Sequence, residues 1–148
     1  LDFGGGIGTH ALANAMSENV EQVFFVDINE KNREFVQFRA KKLGLEQKIS
    51  FYKSVEDTNV KNFDSIVCLD VLEHLDDPAL QLEKFHEIME EDSVSIFNWY
   101  FYKGDNNEYP FHIDDEIIIT KFFETLQNKF IEVFHPMLIT TRVYRKKI

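Results

Sequence analysis

LDFGGGIG, residues 1–8, carries the strongest structural signal in this chain. An apolar start, an acidic residue and glycines at every second position (Gly4, Gly6, Gly8) lead straight into a helix-like run, THALANAMSE. This is a strand–turn–helix junction at which the backbone presses against a bulky adenosyl group, because only glycine leaves room for it. Asp27, closing the next apolar run VFFVD, completes the pattern and points to a nucleoside-containing cofactor. Spacing narrows the choice. A dinucleotide fingerprint requires G-x-G-x-x-G, and counted from Gly4 and Gly6 its third glycine falls on Thr9.

The D-x-G-x-G-x-G run from Asp2 to Gly8 resembles motif I of the class I S-adenosylmethionine-dependent methyltransferases. A second stretch, FDSIVCLDVLEHLDDP at residues 63–78, resembles the strand-four motif of small-molecule O-methyltransferases similar to those of ubiquinone biosynthesis. With SVED at residues 54–57, the likeness covers residues 1 to about 78 and is architectural beyond that. It implies S-adenosylmethionine as cofactor and a contact set of Asp2, Gly4, Gly5, Gly6 and Gly8 at the glycine turn, Ser54, Val55 and Glu56 at the adenine edge, and Leu69 and Asp70 at the methionine part. Relatives commonly carry aspartate at the Ser54 position and a Pro-Gly-Gly turn where this chain has EEDS, residues 90–93.

Individual residues carry chemistry of their own. The Asp27 carboxylate offers two acceptor oxygens that match the vicinal hydroxyls of a ribose; the alternative is a capping role before the following helix. Ile28 offers a flat apolar surface to the adenine, or belongs to the core. His74 is the candidate general base, since histidine takes a proton near neutral pH; the rival role is to pin the turn by hydrogen bonding. Glu73 reads as a structural polar contact. Trp99, Tyr100, Tyr102, Tyr109, Phe111 and His112 give the segment after strand five aromatic faces suited to a flat acceptor, or simply a cover for the sheet end. Strand four lacks the Asn/Asp-Pro-Pro-aromatic run of many amino-group methyltransferases, which argues against an adenine or glutamine target; the resemblance implies a hydroxyl oxygen as the acceptor atom. No metal-ligand set is expected: Asp70, Asp76 and Asp77 sit close together but Asp77 reads as a helix cap, and His10, His86 and His135 share no ligand spacing.

Composition sets the outer bounds. The 148 residues suit one domain with a proper core, with 44% hydrophobic content and fifteen phenylalanines to fill it. A net charge of −10 opposes a nucleic-acid substrate, which calls for a basic groove, but does not by itself point to any substrate; the resemblance implies a small-molecule methyl acceptor as partner. No apolar run is long enough to span a membrane, and the lone Cys68 excludes an internal disulfide, so a cytoplasmic setting is expected. The chain opens on Leu1 with almost no strand ahead of the glycines, which reads as a fragment whose first strand began upstream.

The remaining sequence alternates strand-like and helix-like segments, the mark of a parallel sheet covered by helices. Helices are expected over residues 9–18, from the Asn29 cap to Leu43 with Gly44 ending it, after Asp77-Pro78, and from Asp114 or Asp115 to Asn128. Phe35, Phe38 and Leu45 are assigned to the core. Strands are expected at residues 22–27, 48–53, 63–70, 93–101, 129–135 and 138–146, the last two forming a hairpin about Pro136 and Met137. The resemblance implies an α/β, doubly wound, Rossmann-like sheet of order 3-2-1-4-5-7-6, with its last hairpin antiparallel, in a single domain over residues 1–148 whose ligand sits beyond the strand ends. A nitrogen, carbon or sulfur methyltransferase on the same fold is the nearest rival; a non-catalytic cofactor-binding domain and a nicotinamide-dependent oxidoreductase are the rival classes.

Overall fold

A computed structural model describes residues 1–138 and 140–148. Its strands are β1 (Asp2–Phe3), β2 (Val23–Val26), β3 (Ile49–Tyr52), β4 (Phe63–Cys68), β5 (Met89–Phe97), β6 (Phe130–Val133) and β7 (Arg142–Lys146). Its helices are α1 (Thr9–Met16), α2 (Glu30–Leu43), α3 (Pro78–Ile88) and α4 (Glu116–Lys129). The strands form one seven-stranded sheet of order β3-β2-β1-β4-β5-β7-β6, as expected. The stretch assigned to the last strand includes Ile139, which lies outside the described residues. The chain divides into two compact units, Leu1–Val60 and Lys61–Ile148.

In the first unit β1, β2 and β3 pair in parallel, with Asp2 opposite Phe25 and Val23 opposite Ile49. Its core gathers Ala11, Leu12 and Ala15 from α1, Val36 and Ala40 from α2, and Val23, Phe25 and Ile49 from the strands. Burying a side chain such as Phe25 stabilises the fold by about 1.5–3 kcal/mol. Helix α2 starts as its sequence dictates, with the Asn29 side chain accepting from the Lys31 amide, and Gly44 in left-handed conformation ends it. Its phase differs from the expected one. Phe35 and Phe38 are about half exposed, whereas Leu45 packs against the core as assigned. The helix presents its Val36–Ala40 stripe inward, and the two rings lie under the cations of Arg39 and Lys42, 5.8 and 4.7 Å from the ring centres. Small residues at the contact let the helix approach; the larger ones are covered by cationic stems instead.

In the second unit β4 and β5 run parallel, while β5–β7 and β6–β7 are antiparallel, so the last two strands form the expected hairpin. Strand β5 begins earlier than the sequence indicates. Met89 pairs with Phe63 and Val94 with Ser65, so residues 90–93 are an irregularity inside the strand rather than a turn before it. The Ser93 hydroxyl donating to the Glu90 carbonyl at 2.7 Å stabilises that irregularity. Helices α3 and α4 start at the aspartates the sequence marks: Asp77 accepts from the Leu80 amide, ahead of Pro78, and Asp115 accepts from Ile117 and Ile118. A ring cluster of Phe85, Phe97, Phe130 and Tyr144 fills the space between α3 and the sheet. Burial pushes the Tyr144 phenol well above its ordinary pKa. Cys68 is buried in β4.

Candidate cofactor-binding and active site

The glycine turn is built from backbone. Gly4, Gly6 and Gly8 all have positive φ, at 68°, 54° and 77°. The Gly4 amide donates to the Val26 carbonyl at 2.7 Å, which ties the turn to the end of β2, and the Leu12 amide donates to Gly8, which starts α1. Gly8 and Gly6 are glycine for different reasons. A Cβ on Gly8 would stand 2.5 Å from Val36 Cγ1, so α2 packs directly on the turn. A Cβ on Gly6 would meet nothing within 4 Å. The space in front of Gly6 is open, as a site for an adenosyl group requires. Gly5 is boxed in by Phe25 and the Asp2 carboxylate.

Asp27 lies at this turn. Its Oδ2 accepts from the Gly6 amide at 3.0 Å and the Asn32 side-chain amide at 3.1 Å, and its Oδ1 from the Asn29 amide at 2.8 Å. A carboxylate has about four acceptor positions, so three bonds leave capacity for a further donor. Arg33 donates to the Asp27 carbonyl, a contact that the sequence did not single out. Asn29, not Asp27, caps α2. Next to Asp27, Ile28 is 84% exposed, an apolar surface with no protein cover and not a core residue.

Asp2 is buried in β1 with its Oδ2 unpartnered. Burial raises its pKa above the ordinary carboxylate value, against the opposing charge of His10 and a hydrogen bond from the Ala11 amide. After β3, Ser54 and Asp57 cap each other: the Ser54 amide donates to Asp57 Oδ2 at 3.0 Å, and the Asp57 amide to Ser54 Oγ at 3.4 Å. Val55 carries the Thr58 amide and hydroxyl on its carbonyl, and Glu56 opens a short 3-10 turn, Glu56–Thr58. The Ser54 hydroxyl is thus engaged locally.

The second unit assembles side chains. Beyond β4, half-buried Leu69 precedes Asp70, a non-glycine residue at φ 55°. Asp70 is held by Asn98 at the end of β5: its amide donates to Asn98 Oδ1 at 2.5 Å, and Asn98 Nδ2 donates back to Asp70 Oδ1 at 2.7 Å. This reciprocal pair fixes Asp70 in a conformation that costs about 1–3 kcal/mol when unsupported. Asn98 went unremarked in the sequence, because the expected strand over residues 93–101 takes it in, whereas β5 ends at Phe97.

His74 ends the 3-10 turn Leu72–His74 and is exposed. Its Nδ1 lies 3.4 Å from the Phe111 carbonyl oxygen, and its ring meets His112 edge-on at 4.7 Å. Glu73 beside it is 1% exposed. The aromatic loop divides in two. Trp99 and Phe101 pack on Phe122 of α4, while Tyr100, Tyr109 and His112 stack together, with Phe111 83% exposed. A groove of about 820 Å³ on the α4–β6–β7 side is lined by Trp99, Phe123, Arg142 and Tyr144 among others. Of the aromatic wall it takes in only Trp99 and Tyr100, and it reaches neither His74 nor His112.

The glycine turn with its acidic partner is common to nucleoside-binding doubly wound folds, and the order β3-β2-β1-β4-β5-β7-β6 with an antiparallel β7 is the form taken by the S-adenosylmethionine-dependent methyltransferases. A profile of the family described as methyltransferase domain matches residues 1–109, and the chain belongs to that family. Similar solved structures share the fold. The ribosomal protein L11 methylase from Lactobacillus delbrueckii subsp. bulgaricus is 20% identical, with a TM-score of 0.67, 99% of this chain and 69% of that one covered. An S-adenosylmethionine-dependent O-methyltransferase from Thermotoga maritima is 13% identical, with a TM-score of 0.64, 99% of this chain and 58% of that one. The [4+2]-cyclase SpnF is 15% identical, with a TM-score of 0.68, 90% of this chain and 52% of that one. This chain therefore spans about half the length of the cyclase. No curated protein matches it by sequence.

Proposed function

We propose that this domain transfers the methyl group of S-adenosylmethionine to a hydroxyl oxygen of a small molecule. The observation that supports the reading is the 3.0 Å bond from the Gly6 amide to Asp27, which sets a carboxylate with a free acceptor position on the glycine turn. When bound, S-adenosylmethionine supplies a methyl group already activated on a sulfonium sulfur. The protein's work is then to align and to exclude water, and such positioning is worth about 7–11 kcal/mol.

In this reading Asp2, Gly4, Gly5, Gly6 and Gly8 hold the cofactor by backbone, and Asp27 accepts from ribose hydroxyls, with the Asn32 amide giving way. Exposed Ile28 underlies the adenine, and the backbone of residues 54–56 meets its edge. Leu69 and Asp70 serve the methionine part. His74 takes the acceptor proton: with Nδ1 protonated towards the Phe111 carbonyl, Nε2 keeps a lone pair. The net charge of −10 supports a small acceptor over a nucleic acid. Among the described residues no helix is long and apolar enough to cross a membrane.

Thermal melting with S-adenosylhomocysteine and with NAD tests the cofactor. At a hundred times its dissociation constant, S-adenosylhomocysteine is expected to add about 2.7 kcal/mol of stability, and NAD nothing. A shift with NAD alone would sink the reading. Labelled methyl transfer to phenols and alcohols tests the reaction. His74→Ala is expected to lower turnover about 10²–10⁴-fold while sparing the S-adenosylhomocysteine shift; unchanged turnover refutes the base.

A further inference from the structure

We propose that Glu73, His74 and His112 form an open binding site for a divalent transition-metal ion. One donor atom from each residue lies within 4.8 Å of the other two, an arrangement not assembled by any spacing in the sequence. Two of these residues hold a buried polar atom without a partner. Glu73, 1% exposed, has an unpaired Oε2, and His112 has a buried, unpaired Nδ1. Such an atom is costly to bury without a partner. A direct bond between the two would satisfy both, and it is not made. A cation bound by both atoms satisfies them together.

The surroundings hold the trio in place. The Ile113 amide donates to the Glu73 carbonyl at 2.9 Å, which pins the loop carrying His112 onto the turn carrying Glu73 and His74. Tyr109 stacks on the His112 ring at 5.0 Å and 19°, and Tyr100 meets its edge at 5.8 Å. A proton on His74 Nδ1 towards the Phe111 carbonyl leaves Nε2 as the ligand atom, the outer-shell pattern that orients metal-binding histidines. Ligands about 2.0–2.2 Å from one ion stand roughly 3.3–3.6 Å apart in tetrahedral geometry, so closure needs side-chain movements on the order of an ångström.

The donor set selects the ion. Two imidazoles and one carboxylate suit zinc, iron, cobalt or nickel, and three protein ligands leave coordination positions for water or an acceptor oxygen. The inference does not rest on the proposed reaction, because ion binding is read without cofactor or acceptor. If both hold, the His74 lone pair goes to the ion, and polarisation of the acceptor hydroxyl by the metal replaces proton removal by His74.

The test is titration of the metal-stripped chain with Co²⁺, read by visible d–d absorption. One equivalent is expected to bind, with intense bands of low coordination number. Glu73→Gln, His74→Ala and His112→Ala are each expected to weaken binding about a hundredfold or more. His135→Ala, an exposed histidine outside the trio, should bind as the parent does. Circular dichroism checks that each variant is folded. Failure to saturate at one equivalent, or unchanged binding by folded Glu73→Gln and His112→Ala, overturns the proposal. Loss of cobalt binding with the S-adenosylhomocysteine shift intact separates failure here from failure of the methyltransferase reading.

Discussion

The two compact units build their chemistry in opposite ways. In Leu1–Val60 the site is a backbone object: a turn of left-handed glycines, hydrogen-bonded to the carbonyl of Val26 and the carboxylate of Asp27. In Lys61–Ile148 it is a meeting of side chains, in which Asn98 reaches Asp70 and a loop lays His112 beside Glu73 and His74. A backbone site cannot be altered without altering the fold, because the same atoms do both jobs. A side-chain site can lose its chemistry and keep its structure. Mutations should therefore separate the units by whether stability or ligand binding fails.

The largest expected effect is on the turn. Gly8→Ala puts a Cβ at φ 77° and 2.5 Å from Val36. Left-handed strain and overpacking together should cost about 2–4 kcal/mol, read by urea unfolding. A cost below about 1 kcal/mol would mean that α2 is free to withdraw and that the turn is not part of the fold.

Next comes Asp27→Ala, which should abolish the roughly 2.7 kcal/mol stabilisation by saturating S-adenosylhomocysteine in the same melting assay. A retained shift would remove the ribose contact and narrow the contrast to glycine geometry alone. His112→Ala sharpens the opposite side, with melting expected within about 1 kcal/mol of the parent although Co²⁺ binding is lost.

Asp77→Ala removes the α3 cap and should cost about 1 kcal/mol at neutral pH. The hydrogen bond from Lys121, then that from the Leu80 amide, lowers the Asp77 pKa. Its contribution is thus complete above the unfolded value of 3.8 and fades as pH falls through the lower folded value. The difference in stability between parent and variant should shrink in acid.

Asp2 should show the reverse sign. Burial raises its pKa, so the folded state binds the proton more tightly than the unfolded chain does. That contribution is complete below 3.8 and is lost as pH rises through the raised folded value. Asp2→Asn, which keeps an acceptor for the Ala11 amide, should lack this decline. Parallel pH profiles for parent and variant would show that the buried carboxylate is solvated after all.

Helix starts and stops were legible because each is a local event. Asn29, Asp77 and Asp115 cap amides within three residues of themselves, and Gly44 takes a conformation open to glycine. The Asp27 position was legible because a strand must end before a helix can begin. Phe35 and Phe38 were misassigned because hydrophobicity does not report which face of a helix finds room, and the close approach of Val36 to Gly8 settled that face. The start of β5 was missed because residues 90–93 are polar and irregular, and only pairing with β4 makes them strand.

The order of the elements, the glycine turn and the place of Asp27 at a strand end follow from the chain itself, through backbone freedom and local hydrogen bonds; the meeting of Asp27 with Gly6, 21 residues apart, already needs the pairing of β1 with β2. What tertiary structure decided was every partnership between distant side chains: Asn98 with Asp70, and His112 with Glu73 and His74. The physical reason is range. A capping bond or a left-handed φ depends on a few adjacent residues, whereas the approach of two loops depends on the packing of the strands and helices that carry them.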